Sequence, residues 1–475
     1  MLLLACRNAI GSVKQASQLL FFIKEPHQAL FRKLEKKYGE LYTVWFATKP
    51  CVVFNDWQLI KETFIQQADL YTGRPRSYLL EYFRKGPNGL LASDGEKWRE
   101  QRRFALHVLR DFGLGRPKIE NEILTETSFF LDAMAAAASK RGGAVDPFPL
   151  IQKCVGNIIN QLLFGYRLGD HDDTAHRFIG ALANINSTLS QPDWRTAFVF
   201  FEWSKHLPFM WDFFRRLDET RETFMSFFVE QIAKHRRSYD GVAEPNDFAE
   251  AYLREMERRG GEGHFSEEQF VATVLDLWLA GLDTTSKTLH WSILYMIHYP
   301  EVQSRVQLEI DANVDFAKEV TLADKRNLPF TAATVMELQR HINLVPMNLF
   351  HTTTDDVVVR GYRIRKGTGV MAQISAVMSD ERHFPKPSRF YPDRFVKGST
   401  VESREQFVPF SVGKRACLGE SLARMELFLV FANFLKRFRV EKVPMEPMPS
   451  MEQTNYVSVL VQARDYECFI TERQR

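Results

Sequence analysis

Apolar residues recur every three or four positions along most of the chain, which is the spacing of one face of an α-helix. The pattern is strongest in the middle of the sequence and predicts long helices there. These predicted helices span residues 96–110, 119–138, 148–164, 216–237 and 266–298. The fold class that follows from this pattern is mainly α.

Short runs of β-branched and aromatic residues interrupt the helical pattern and predict strands. LYTVWF at 41–46 and CVVF at 51–54 flank a short connection that ends in Pro50, so they predict a β-hairpin. DVVVRGYRI at 356–364 and YVSVLV at 456–461 predict strands late in the chain. We therefore expect small sheets beside a large helical body.

The longest predicted helix, 266–298, begins at an S-x-x-Q capping box formed by Ser266 and Gln269. It is apolar on nearly all sides through VATVLDLWLAGL. A helix that is hydrophobic all round has to be buried. This helix is therefore expected to cross the interior of the protein.

The stretch AGLDTT, residues 280–285, lies in the middle of this helix although glycine, aspartate and threonine are poor helix formers. Gly281 leaves a space where a side chain would stand, and the Thr284 hydroxyl can donate to the carbonyl of Ala280 one turn earlier. Asp283 places a charge in an apolar segment, so it needs either hydrogen-bonding partners or a role in moving protons. The residues alone leave both interpretations of Asp283 open.

Composition and charge exclude several classes of protein. The 475 residues are 45% hydrophobic and include 62 basic and 59 acidic side chains, for a net charge of +3. This balance gives no indication of nucleic-acid binding, and without a linker or repeat we expect one large domain over residues 26–475. Residues 1–25 are apolar and basic, with runs too short for a membrane span. A truncated anchor, a transit peptide and an amphipathic helix on a membrane surface are the alternatives for this segment.

The five cysteines are scattered, without a CxxC pair or zinc-like spacing, so we expect neither disulfides nor structural zinc. Cys417 differs from the others because it lies in FSVGKRACLG, residues 410–419, just ahead of a helical pattern. Backbone N–H groups at a helix N-terminus favour a thiolate, which is the form that binds metal. Gly413 and Gly419 would allow positive φ and the close approach of a flat cofactor.

The other residues around Cys417 also suit a cofactor site. Phe410 can shield the sulfur from water, and Arg415 can pair with an anionic group on the cofactor. With Gly413 and Gly419 they fill the pattern FxxGxRxCxG, which resembles the haem-ligand loop of the cytochrome P-450 superfamily. The resemblance implies haem b held by the Cys417 thiolate, a ligand that favours cleavage of the oxygen–oxygen bond. It also implies a fold that places haem between the long central helix and the cysteine loop.

Three further motifs of that family occur in the same order along the chain. Trp98 and Arg102 in EKWREQRRF match a W-x-x-x-R helix whose side chains reach a haem propionate. Glu337 and Arg340 in TVMELQRH resemble the E-x-x-R pair, and Arg394 in RFYPDRF corresponds to the arginine that completes a buried network behind the haem loop. An isolated E-x-x-R pair is more often an exposed ion pair. The ordered set of motifs supports the resemblance where each motif alone is weak.

The stretch AGLDTT resembles the acid–alcohol pair of the family. The resemblance implies that Asp283 relays protons from solvent and that Thr284 positions them at the oxygen being reduced. Haem-thiolate isomerases and dehydratases that rearrange peroxides need no such delivery, so the pair favours a monooxygenase acting on an apolar substrate. A peroxide isomerase and a non-catalytic haem-binding protein are the alternatives.

The resemblance also implies positions around the substrate and the haem. Ala280 and Gly281 of the central helix, with Val345 and Met347 further on, correspond to pocket-lining positions. His351 is similar to a histidine that contacts a propionate. Lipids, steroids and xenobiotics are the expected classes of substrate.

The electron donor and the location follow from two stretches. RRFALHVLRDFGLGR resembles microsomal members, and Cys417 is followed by Leu-Gly-Glu-Ser rather than the two arginines usual in mitochondrial members. The resemblance implies electrons from NADPH through cytochrome P-450 reductase, with cytochrome b5 as a further partner, at the cytosolic face of the endoplasmic reticulum membrane. The aromatic stretch 195–214 corresponds to a lid that touches the membrane. A mitochondrial location, or a soluble protein if the start is truncated, is the alternative.

Overall fold

The computed structural model describes residues 15–19, 27–46, 49–112, 117–169, 180–181, 202–239, 243–260, 263–454 and 459–474. Most of the segment 1–25 therefore lies outside the described residues. Within it, Gln15–Leu19 form strand β1, which pairs in parallel with Leu41–Phe46 (β2). An amphipathic helix does not extend over this stretch. No helix within the described ranges is long and apolar enough to span a bilayer.

Helices dominate the described residues. In chain order they are α1 His27–Tyr38, α2 Trp57–Ile60, α3 Tyr78–Arg84, α4 Gly95–Phe112, α5 Pro117–Lys140, α6 Phe148–Phe164, α7 Trp211–Ser238, α8 Phe248–Arg258, α9 Glu267–His298, α10 Pro300–Asn313, α11 Pro329–Ile342, α12 Ile374–Met378 and α13 Glu420–Arg437. The helices predicted from apolar spacing are α4, α5, α6, α7 and α9, and all of them are confirmed. Helix α7 begins earlier than predicted because a 3₁₀ turn at Pro208–Met210 leads directly into it.

The sheets are small, as predicted. The largest has the strand order β1-β2-β3-β8-β5, in which β3 is Lys49–Phe54, β8 is Gly369–Ala372 and β5 is His351–Thr352. The remaining strands are β4 Ala144–Val145, β6 Val357–Val359, β7 Tyr362–Ile364, β9 Val396–Lys397, β10 Thr400–Val401, β11 Phe438–Lys442 and β12 Cys468–Glu472. The predicted hairpin is confirmed, since β2 and β3 pair antiparallel.

Two strand predictions differ from the structure. The run 356–364 is two antiparallel strands, β6 and β7, because the chain reverses at Arg360 and Gly361, which both have positive φ. Of the run 456–461, residues 456–458 lie outside the described part of the chain, and residues 459–461 form no strand. The architecture as a whole is mainly α with small sheets in one domain.

Helix α9 crosses the interior, as its apolar pattern predicts. The Ser266 hydroxyl caps it by accepting from the Gln269 backbone N–H at 3.2 Å. The helix packs against α6, α11 and α13. At Gly281 a Cβ atom would stand 3.0 Å from the Ile159 side chain of α6. This glycine therefore permits close helix packing, whereas the sequence analysis expected it to face a substrate pocket.

Candidate haem site

The cysteine loop has a tightly constrained backbone. The Cys417 N–H donates to the Phe410 carbonyl at 2.9 Å and closes the loop. Gly413 has φ +75°, and a Cβ atom there would overlap the carbonyl oxygen of Phe64. Gly419 has an ordinary φ of −91° and nothing within 4 Å of its Cβ direction. The predicted need for glycine is therefore confirmed at Gly413, and the positive φ predicted for Gly419 is wrong.

Cys417 lies just ahead of α13 and is exposed to a cavity of about 460 Å³. The cavity is lined by Leu106, Arg110, Cys417, Leu418, Glu420 and Ser421. Burial among protein atoms raises the pKa of the Cys417 thiol, and a hydrogen bond from the Gly419 backbone N–H partly offsets this. The backbone N–H at the helix terminus therefore favours the thiolate, as predicted, but burial of the sulfur outweighs its effect. A coordinated metal ion would deprotonate the thiol outright.

The side chains next to the loop are arranged around α4. Trp98 of α4 is buried, and the Arg415 guanidinium lies over its ring at 3.8 Å. The Arg102 guanidinium donates to the carbonyl of Ala416 at 2.5 Å, so α4 is tied directly to the cysteine loop. Phe410 is half-buried, with the Arg424 guanidinium over its ring at 4.9 Å. The W-x-x-x-R and cysteine motifs thus form one site.

Arg415 is a buried cation whose hydrogen bonds go to uncharged groups. It donates to the main-chain carbonyls of Thr72, Leu90 and Ser93. Burial, with the nearby cation of Arg74 as the next cause, lowers the pKa of Arg415 to about 8. Such a charge is costly unless an anion neutralises it.

Arg74, which the sequence analysis missed, completes the cationic cluster. Its guanidinium donates to the Phe350 carbonyl at 2.5 Å, and burial lowers its pKa to about 10. His351 is buried beside it, with Nδ1 2.7 Å from the Tyr71 carbonyl, and burial lowers the pKa of this imidazole well below its usual range. No motif marks Arg74, because only the folded chain brings it to the cysteine loop.

This cluster provides a test of whether haem fits the site. Arg74, Arg102 and Arg415 donate to main-chain carbonyls, and in the described part of the chain none of the three forms an ion pair. The Nε of Arg74 is buried without a hydrogen-bond acceptor. A cofactor with carboxylate groups and a thiolate-bound iron would supply the missing anions beside Cys417. The residues present therefore fit haem.

Glu337, Arg340 and Arg394 form a buried ionic network. Glu337 accepts two bonds from Arg340, each at 2.8 Å, and its Oε2 lies 2.9 Å from Nε of Arg394. The three side chains are 0%, 1% and 4% exposed respectively. The arginines also donate to the carbonyls of Met378, Pro385, Lys386, Pro387 and Arg389. The network therefore fixes α11 to the segment that precedes the cysteine loop.

One strip of α9 is accessible although the rest of the helix is mostly buried. Leu277 and Thr284 are half-buried and Ala280 is exposed, and their spacing of three and four residues marks one helix face. The Thr284 hydroxyl donates to the Ala280 carbonyl at 2.7 Å, as predicted. Asp283 is also half-buried and accepts a bond from Lys287, a partner that the sequence analysis did not consider.

The two remaining pocket predictions have different outcomes. Val345, which follows α11, is half-buried, and its place in the substrate pocket stays a prediction. Met347 is 8% exposed and belongs to the core cluster that contains Leu30, Phe31 and Met371. It therefore packs between α1 and the largest sheet instead of lining a pocket.

Comparisons with known proteins agree with this geometry. The family model described as Cytochrome P450 matches residues 9–469. Cytochrome P450 2D3 of Rattus norvegicus is 36% identical over 429 residues, which cover 88% of this chain and 83% of the relative. Cytochrome P450 2J2 of Homo sapiens is 35% identical over 405 residues, which cover 85% of this chain and 79% of the relative. The chain belongs to the cytochrome P450 family and is a haem-dependent monooxygenase.

Proposed function

We propose that this monooxygenase oxygenates an apolar small molecule with electrons passed from NADPH through cytochrome P-450 reductase. The observation that carries the proposal is the accessible strip of α9, where Ala280 offers an apolar surface beside the hydroxyl of Thr284. An apolar wall with a few placed polar groups is typical of a small-molecule site. Lipids, steroids and xenobiotics are the candidate substrates.

The residues around Cys417 have distinct proposed roles. Cys417 binds the iron, and Arg74, Arg102, Arg415 and His351 hold the carboxylates of the cofactor. Haem held by a cysteine thiolate supplies the chemistry of dioxygen activation when it is bound. The loop backbone, closed by the bond from Cys417 to the Phe410 carbonyl, orients the sulfur.

An acidic reductase surface is the proposed electron-donating partner, with cytochrome b5 as a second candidate. Arg99, Arg103 and Arg110 are exposed and recur on one face of α4. The Arg102 bond to Ala416 connects the same helix to the cysteine loop. Complementary charge across an interface speeds encounter and fixes orientation. A donor docked on this face would lie close to Cys417.

We further propose attachment at the cytosolic face of the endoplasmic reticulum membrane. Trp203 and Phe209, which precede α7, and Trp211, its first residue, expose 54%, 44% and 64% of their surface respectively. Exposed aromatic clusters are typical of membrane or partner contacts. Residues 195–201 of the predicted lid lie outside the described residues.

Replacement of Thr284 by alanine tests the proposed chemistry. We expect Thr284→Ala to retain haem and to keep consuming NADPH when reductase is present. Oxygenated product should fall by on the order of 10²-fold, a typical contribution of placed proton transfer, and electrons should appear as hydrogen peroxide. The measurement is the ratio of product and peroxide to NADPH with a panel of fatty acids, steroids and aromatic xenobiotics.

The matched control is Thr288→Ala, one turn further along α9. Thr288 donates to the Thr284 carbonyl at 2.8 Å, the same kind of bond, but its side chain is buried. This variant should keep the wild-type ratio of product to NADPH. Two results would contradict the proposal: equal effects of the two substitutions, or a wild-type protein that converts a lipid peroxide without reductase and oxygenates nothing on the panel.

A further inference from the structure

A lysine is buried within α9 one turn after Asp283. The Lys287 side chain is 2% exposed, and its ammonium donates to Oδ2 of Asp283 at 2.7 Å. The Asp283 side chain is 13% exposed. Lysine is almost never fully buried unless it is paired. Among the residues that the structure describes, Asp283 is the hydrogen-bonding partner of this ammonium.

The bond between Lys287 and Asp283 limits the positions that the Asp283 carboxylate can take. Residues four apart lie on one helix face, one turn from each other. Lys287 therefore draws the Asp283 carboxylate toward the C-terminal end of α9. The Thr284 hydroxyl is held in the opposite direction, since it donates to the carbonyl of Ala280 one turn earlier. The Asp283 carboxylate and the Thr284 hydroxyl thus form hydrogen bonds to different turns of the helix.

We propose that Lys287 is a positioning residue that holds the Asp283 carboxylate turned away from Thr284, so that opening of this ion pair limits proton delivery. The inference rests on the proposed function and on the proton relay that the family resemblance implies for Asp283.

Removal of the lysine tests this inference. With reductase, NADPH and a fatty acid that the wild type oxygenates, Lys287→Met should consume NADPH several-fold faster because Asp283 is released. Lys287→Arg keeps the charge and should behave like the wild type. In an Asp283→Asn background, Lys287→Met should have no effect on the rate, because its influence passes through the carboxyl group.

An exposed pair on α7 provides the matched control. Glu230 and Lys234 have the same spacing, lie 3.3 Å apart and are 58% and 52% exposed. Lys234→Met should therefore leave NADPH consumption unchanged. A faster rate in this control as well would show that loss of any lysine from such a pair changes turnover, and would overturn the proposal.

Thermal unfolding of the ferric holoprotein gives a readout independent of turnover. Asp283→Asn should lower the midpoint more than Lys287→Met, because it leaves a more deeply buried ammonium without a counter-charge. The double variant should recover part of that loss. Equal unfolding midpoints for all variants would contradict the claim that Lys287 and Asp283 form a buried ion pair.

An unchanged or slower rate of NADPH consumption in Lys287→Met would overturn the positioning role while leaving the monooxygenase function intact. Equal effects of Lys287→Met in the wild-type and Asp283→Asn backgrounds would do the same. Wild-type turnover in Asp283→Asn would instead contradict the proposed proton-carrying role of the acid, and with it this inference.

Discussion

Glu337→Ala is expected to yield protein that is largely misfolded and free of haem. The substitution leaves the guanidinium groups of Arg340 and Arg394, which are 1% and 4% exposed, without their shared carboxylate. Breaking a buried pair in this way costs about 3 to 5 kcal/mol. That is a large part of the roughly 5 to 15 kcal/mol by which proteins are stable. The measurement is the free energy of unfolding, together with the yield of holoprotein.

The control for this prediction is an exposed pair with the same spacing. Glu202 and Lys205 lie 3.0 Å apart and are 70% and 37% exposed. Glu202→Ala should leave the free energy of unfolding nearly unchanged, because exposed ion pairs contribute little to stability. If Glu337→Ala costs no more than this control and the protein keeps its haem, the network does not hold the fold as described.

Gly413→Ala is expected to prevent formation of the cysteine loop. The added Cβ would overlap the Phe64 carbonyl oxygen, a backbone atom that no side-chain rotation can move aside. The positive φ of +75° adds a conformational cost of about 1 to 2 kcal/mol. Holoprotein yield and haem retention on dilution are the measurements, and both should fall strongly.

A variant at Gly398 separates the conformational cost from the overlap with the Phe64 backbone. Gly398 has φ +60° but nothing within 4 Å of its Cβ direction. Gly398→Ala should show the conformational cost alone and retain haem. Comparable loss of haem in both variants would mean that strain, rather than the approach of the Phe64 backbone, requires glycine at 413.

The sequence predicted the parts of the site that depend on local spacing. Apolar periodicity located α9 because a buried helix needs apolar residues on every face. The distance between Glu337 and Arg340 placed them on one helix turn, where the structure finds them bonded. Gly413 was identified correctly because its conformation is a property of a short loop.

The parts that sequence analysis missed depend on contacts between distant segments. Arg74 joins the cationic cluster because it bonds to the Phe350 carbonyl and because its loop supplies the Thr72 carbonyl to Arg415, and no spacing rule marks it. Met347 was assigned to the pocket by resemblance, yet tertiary packing turns it into the core beside α1. Lys287 was overlooked as a partner of Asp283, although their four-residue spacing is the usual signal for such a pair.

The visible spectrum of the reduced protein with carbon monoxide tests the central claim most directly. Thiolate ligation by Cys417 predicts a strongly red-shifted Soret band in the wild type. Cys417→Ala should abolish that band, whereas Cys154→Ala, which changes a buried cysteine of α6, should retain it. A wild-type band at the position typical of histidine-ligated globins, in protein that is well folded, would contradict the assignment of Cys417 as the haem ligand.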